Sequence, residues 1–183
     1  MRYIVKCVPE RLHYVEQMKI QIPNLEICLD EKRDAMHTFK KSLLMSGEDE
    51  VVHLEDDIIL TSDFINKIES VIKKRSDNMI QFFSMRKDDL TIGSRYIYGS
   101  LFCMNQCVYY PKHYSSKILE FSKIWDRYDT EPNATDYLIA DWLKSRKESY
   151  WNHIPSLVEH RQIKSIINPR RSTKRQSKTF TND

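Results

Sequence analysis

At 183 residues, 40% hydrophobic and 30% charged, the chain is long enough to bury one real core, and no apolar run approaches the roughly 20 residues of a membrane-spanning helix. The formal net charge of +3 hides an asymmetry: residues 1–160 carry 22 Lys and Arg against 25 Asp and Glu, whereas residues 161–183 carry seven basic residues and one acid, Asp183. The start Met1-Arg2-Tyr3-Ile4-Val5-Lys6 lacks signal-peptide architecture, and Cys7, Cys28, Cys103 and Cys107 lack CxxC spacing, so the expectation is reduced, mostly buried thiols in a cytoplasmic protein without a membrane span.

In chain order, Tyr3–Val8 is rich in β-formers and stops at Pro9, which predicts a first strand. Leu12, Val15, Met18 and Ile22 recur at helical spacing, and Pro23 ends that helix. Leu25–Leu29 predicts a second strand ending at Asp30. Asp34 then caps a helix with Ala35, Met36, Phe39, Leu43 and Leu44 as its apolar face, closed by Gly47. Val51–Leu54 predicts a third strand, which runs into Glu55-Asp56-Asp57. A helix capped by Ser62 follows over 63–74, then a strand over 79–84 and a β-rich stretch over 96–110 broken by Gly99. Helices are expected over 116–123 and, capped by Thr135, over 136–147, and a final strand over 154–158 leads to Glu159-His160. Alternating strands and helices predict an α/β fold with a mainly parallel, helix-flanked central sheet, in which ligands bind beyond the carboxyl ends of the strands. The loops at 8–11 and 30–33 and the cluster at 55–57 all fall on that rim. With three glycines in the chain, no phosphate-binding glycine loop is present.

Glu55-Asp56-Asp57 lies between Val51-Val52-His53-Leu54 and Ile58-Ile59-Leu60. Carboxylates in an apolar setting must be paired, protonated or metal-bound, and hard oxygen ligands suit Mn²⁺ or Mg²⁺ with coordination positions left for substrate phosphates. The alternative is an acidic surface turn. His160, after an apolar strand, offers a nitrogen ligand that favours Mn²⁺, although a lone histidine is more often an ordinary polar residue. Asp136, in a first helical turn, suits either the helix dipole or a general base, with Asp141 on the same helix as the other candidate.

Together these residues resemble the GT-A nucleotide-sugar glycosyltransferases, in particular the lipooligosaccharide type. Val52-His53-Leu54-Glu55-Asp56-Asp57-Ile58-Ile59-Leu60 is similar to the strand that carries their metal-binding DXD motif, in a Glu-Asp-Asp form. Ile154-Pro155-Ser156-Leu157-Val158-Glu159-His160 resembles the segment whose histidine helps to bind the metal. Tyr98-Gly99-Ser100 falls where the family has its glycine-containing acceptor loop, and Asp136 where it has the acid of its xED motif.

The resemblance implies a Rossmann-like GT-A catalytic domain over 1–165 with a basic tail over 166–183. It implies Mn²⁺ or Mg²⁺ on Asp57 and His160, with Glu55 acting through water and Asp56 facing the ribose. Val8, Arg11 and Asp30 would hold the base and ribose of a UDP-linked donor, Gly99 would border the donor site, and Arg161 and Lys164 would neutralise the diphosphate. Asp136 would serve as base for inverting transfer. The acceptor is a saccharide or, given the basic tail, a hydroxymethylated base in DNA. The competing readings are a metal-dependent phosphotransferase or nuclease, and a nucleic-acid-binding module built on Asn168–Lys178.

Overall fold

The structure, a computed structural model, describes residues 1–127, 130, 134–167 and 172–182; Asn168, Pro169, Arg170, Arg171 and Asp183 of the expected basic tail lie outside the described residues. Nine strands and six α-helices run in the order β1 (Arg2–Cys7), α1 (Leu12–Lys19), β2 (Leu25–Leu29), α2 (Ala35–Ser46), β3 (Val51–Glu55), β4 (Ile58–Leu60), α3 (Phe64–Lys73), β5 (Ile80–Gln81), α4 (Asp89–Ile92), β6 (Arg95–Tyr98), β7 (Cys107–Tyr110), α5 (Tyr114–Phe121), α6 (Thr135–Ser145), β8 (Ser149–Asn152) and β9 (Val158–His160) among the described residues. Seven strands form one sheet in the order β2-β1-β3-β7-β5-β8-β6, and β4 pairs with β9.

The expectation of a mainly parallel sheet is corrected to a mixed one. β1, β2, β3, β5 and β8 run the same way, while β7 and β6 run against them. Strand alternation divides the core. Tyr3, Val5, Cys7, Val52, Leu54, Cys107 and Tyr109 join Val15 and Met18 of α1 and Phe64, Ile68 and Ile72 of α3 on one face. On the other, Ile4, Val51, Val108 and Tyr110 join Phe39 of α2, Ile118 of α5 and Leu138, Ile139, Trp142 and Leu143 of α6.

Several local expectations change. Asp34 caps α2 by accepting the His37 N–H at 2.9 Å, and Gly47 closes the helix at φ 59, as its lack of a Cβ allows. Leu44, however, is 70% exposed and lies off the buried face. Asp63 in a left-handed conformation, rather than Ser62, precedes α3, and Ala134, rather than Thr135, precedes α6. The final strand begins at Val158 because its partner is β4, with Ile58 opposite His160. β8 is an additional strand, hidden in a polar-looking stretch and paired on both sides. His53, read as part of an apolar run, is fully buried between Ser46 Oγ at 2.8 Å and Ser42 Oγ at 3.4 Å; burial, with Lys6 and Arg2 nearby, pushes its pKa well below the ordinary value.

Candidate functional site

The sheet register assembles the site. Cys7 pairs with Leu29 and Lys6 with Glu55, so the carboxyl ends of β1, β2 and β3 lie side by side. β7 runs antiparallel, so the segment before it, Met104-Asn105-Gln106, returns to the same rim; the Gln106 carbonyl accepts the Glu55 N–H at 2.9 Å. The Met104 N–H donates to Asp136 Oδ2 at 3.0 Å and ties the start of α6 to that rim. A cavity of about 430 Å³ opens there, lined by Val8, Arg11, Asp30, Glu55, Asp56, Asp57 and Asp136 among others.

Within the acidic cluster, charge is met mainly by pairing. Asp56 accepts the Val8 N–H at 2.9 Å and Arg11 Nη1 at 2.9 Å. Arg11 Nη1 also donates to Asp57 Oδ2 at 3.1 Å, and its Nη2 donates to the Lys164 carbonyl at 2.7 Å. Asp57 Oδ2 lies 3.2 Å from His160 Nε2 and 4.0 Å from Arg175. Lys6 Nζ stands 3.0 Å from Glu55 Oε1, a close ion pair whose geometry is not that of a hydrogen bond.

These neighbours set the acidities. Burial pushes the Glu55 carboxyl up to about 7, with Lys6 opposing and Asp57 adding to the rise. Burial likewise raises Asp56, despite Arg11 and the Val8 N–H. Burial would raise Asp57 too, but His160, Arg11 and Arg175 together hold it below the usual carboxylate range.

Among the expected donor contacts, Val8, Arg11, Asp30, Glu55 and Asp56 line the cavity; Gly99, Arg161 and Lys164 do not. Gly99 is a packing glycine: a Cβ there would overlap Leu143 Cβ and stand 2.6 Å from the Glu148 carbonyl oxygen. The Arg161 guanidinium turns to α1, donating to Gln17 Oε1 at 2.7 Å and stacking 4.3 Å from the Tyr14 ring centre. Lys164 is exposed and contributes its carbonyl to Arg11. Asp56 faces Arg11 and the Val8 amide with both oxygens, so it braces the first loop instead of standing open to a ribose. Asp141 lies off the cavity lining, accepting Trp125 Nε1 at 3.0 Å and Arg127 Nη1 at 3.2 Å.

Sequence reasoning passes over Arg175 and Ser165, which also line the cavity. The C-terminal segment returns to the domain: the Ser156 N–H donates to Thr179 Oγ1 at 3.1 Å, the Ser177 N–H to Glu159 Oε1 at 3.1 Å, and Thr61 Oγ1 to the Thr181 carbonyl at 3.1 Å. Alternating Ser and Thr at 177, 179 and 181 is the available signal, masked by the surrounding basic residues.

His160 is 1% exposed, and neither ring nitrogen has an aligned hydrogen-bond partner among the described residues. A buried imidazole without an aligned hydrogen bond, 3.2 Å from a carboxylate oxygen, fits a divalent cation held by one nitrogen and one oxygen, the pair that favours Mn²⁺. Among the described residues no third His, Cys, Asp or Glu completes a cluster, so other ligands would be water or substrate oxygens.

No protein-family model and no curated protein matches the chain. Among solved structures, a Bacillus anthracis protein described as a candidate glucose-1-phosphate thymidylyltransferase, in complex with a sucrose, is similar at 10% identity and a TM-score of 0.50, covering 87% of this chain and 89% of that one. The structure of A197 from STIV is similar at 14% identity and a TM-score of 0.49, covering 87% of this chain and 84% of that one. The first likeness supports a Rossmann-like α/β fold. No helix among the described residues is long and apolar enough to cross a membrane.

Proposed function

We propose that the protein is a glycosyltransferase that uses a nucleotide-sugar donor. The observation that carries this reading is the convergence of Arg11, Asp57 and Asp136 on one strand-end cavity, with His160 buried behind Asp57, so that a guanidinium, a carboxylate–imidazole pair and a candidate base adjoin a common space. The nucleotide would lie against Val8 and Asp30, with Arg11, fixed by Asp56, directed at its phosphates. Asp57 and His160 would hold Mn²⁺ or Mg²⁺, which when bound neutralises charge on a diphosphate leaving group.

Asp136 supplies the proton acceptor. Its carboxylate takes the proton of an acceptor hydroxyl while that oxygen forms a bond to the anomeric carbon. The bond from that carbon to the diphosphate oxygen breaks, its electron pair leaves with the nucleoside diphosphate, and the proton passes from Asp136 to solvent. Attack opposite the leaving group gives inversion. The acceptor is a saccharide or a modified DNA base; Lys174 and Lys178, both exposed, are available to a polyanion.

Ligand linkage tests the reading: UDP with Mn²⁺ should raise the melting temperature of the wild type, and Asp57→Ala should abolish metal-dependent sugar transfer. Absence of a shift with both UDP and GDP, or full activity in Asp57→Ala, would sink it.

A further inference from the structure

Three buried polar atoms without aligned partners among the described residues belong to uncharged side chains of the cavity lining, on the wall that adjoins Glu55. Thr38 Oγ1 projects from α2, and Asn105 Nδ2 and Gln106 Oε1 from the segment before β7. These residues are 3%, 4% and 7% exposed, so bulk water does not readily satisfy them. Tyr110 donates to Asn105 Oδ1 at 3.1 Å, which fixes that amide and leaves its NH₂ as the unpartnered donor.

The set therefore contains a fixed donor at Asn105, an accepting amide oxygen at Gln106 and a hydroxyl at Thr38 that can do either. An apolar ligand would satisfy none of them, and a simple anion or cation would answer only one polarity. Sugar hydroxyls both donate and accept, and neighbouring hydroxyls can meet all three.

We propose that Thr38, Asn105 and Gln106 read the hydroxyl groups of the transferred sugar and set which sugar the protein accepts. This rests on the glycosyltransferase reading above and adds the residues that determine its specificity. The acidic end holds the nucleotide diphosphate whatever sugar it carries; this wall distinguishes one hexose from another.

The test uses the full chain with Mn²⁺ and compares binding of UDP, UDP-glucose, UDP-galactose and UDP-N-acetylglucosamine by calorimetry. The wild type should rank the three sugars. Thr38→Val and Gln106→Met should each weaken the preferred UDP-sugar by about tenfold, the scale of one lost hydrogen bond, while UDP itself binds as before. Thr38→Ser, which keeps the hydroxyl, should retain the ranking and guards against a merely structural effect. If the variants keep the wild-type ranking, or the wild type binds every UDP-sugar as it binds UDP, the inference is overturned while nucleotide recognition stands. If the wild type binds neither UDP nor GDP, the glycosyltransferase reading falls and takes the inference with it.

Discussion

At one end of the cavity each carboxylate of the acidic cluster faces a cation: Arg11 holds Asp56 and Asp57, and Lys6 faces Glu55. On the wall adjoining Glu55, Thr38, Asn105 and Gln106 bury polar atoms that the described protein leaves without aligned partners. The first arrangement pairs its carboxylates with the protein's own cations, whereas the second has uncharged groups with no pairing among the described residues. Mutations should therefore separate stability from recognition along a single cavity.

The largest effect is expected at Arg11. Arg11→Met strips the shared cation from two buried carboxylates, and breaking a buried pair in this way costs about 3–5 kcal/mol. Urea unfolding at neutral pH measures it. Thr38→Val, on the uncharged wall, should change stability by less than about 0.5 kcal/mol, because no described protein hydrogen bond of its hydroxyl is lost. Equal losses at the two positions would erase the distinction.

Asp136 and Asp141 sharpen the contrast on one helix. Asp136→Asn should lower kcat by about 10²–10⁴-fold, the range for a lost general base, with little change in melting temperature. Asp141→Asn should do the reverse, weakening its bonds to Trp125 and Arg127 at a cost of about 1 kcal/mol while leaving kcat intact. An inactive Asp141→Asn beside an active Asp136→Asn would exchange their roles.

Gly99 tests a residue that the family resemblance places at the donor site and the fold places against α6. Gly99→Ala should destabilise by about 1–3 kcal/mol through overpacking against Leu143 and the Glu148 carbonyl, with UDP affinity unchanged. A selective loss of UDP affinity would return Gly99 to the donor site.

These cases also separate what is legible in the sequence from what is not. β1, β2, α2 and β3 are legible because local periodicity, the Asp34 cap and Gly47 all agree with the tertiary structure. The rim carrying Val8, Asp30 and Glu55 follows from their strand ends. β8 is not legible, because its pairing partners, β5 and β6, come from distant segments and no local pattern in Ser149–Asn152 announces them. Arg161 and Arg175 carry the same charge in the same basic region, yet one stacks on Tyr14 and the other lines the cavity. Only the path of the returning chain distinguishes them. Thr38, Asn105 and Gln106 are ordinary residues whose significance lies in burial without partners.

The smallest effect concerns pH, and it divides the acidic cluster itself. Glu55, raised from 4.5 to about 7 by burial against the pull of Lys6, binds its proton more tightly in the folded chain than in the unfolded one. Between those values the unfolded state holds fewer protons, so this group makes stability fall as pH rises. Asp57 acts in the opposite sense. Burial would raise it, but His160, Arg11 and Arg175 hold it low, so its stabilising contribution is present above the ordinary carboxylate range and lost as pH falls through its lowered value. Urea unfolding across roughly pH 3–8 should show Glu55→Gln flattening the decline between 4.5 and about 7 while keeping the acid-side loss. Asp57→Asn should reduce the acid-side loss and keep the decline. Glu55 is partly open to solvent, which screens its share and makes this the finest of the contrasts. An unchanged slope in Glu55→Gln would mean that Lys6 fully offsets its burial, and the charged end of the cavity would then be balanced at every carboxylate.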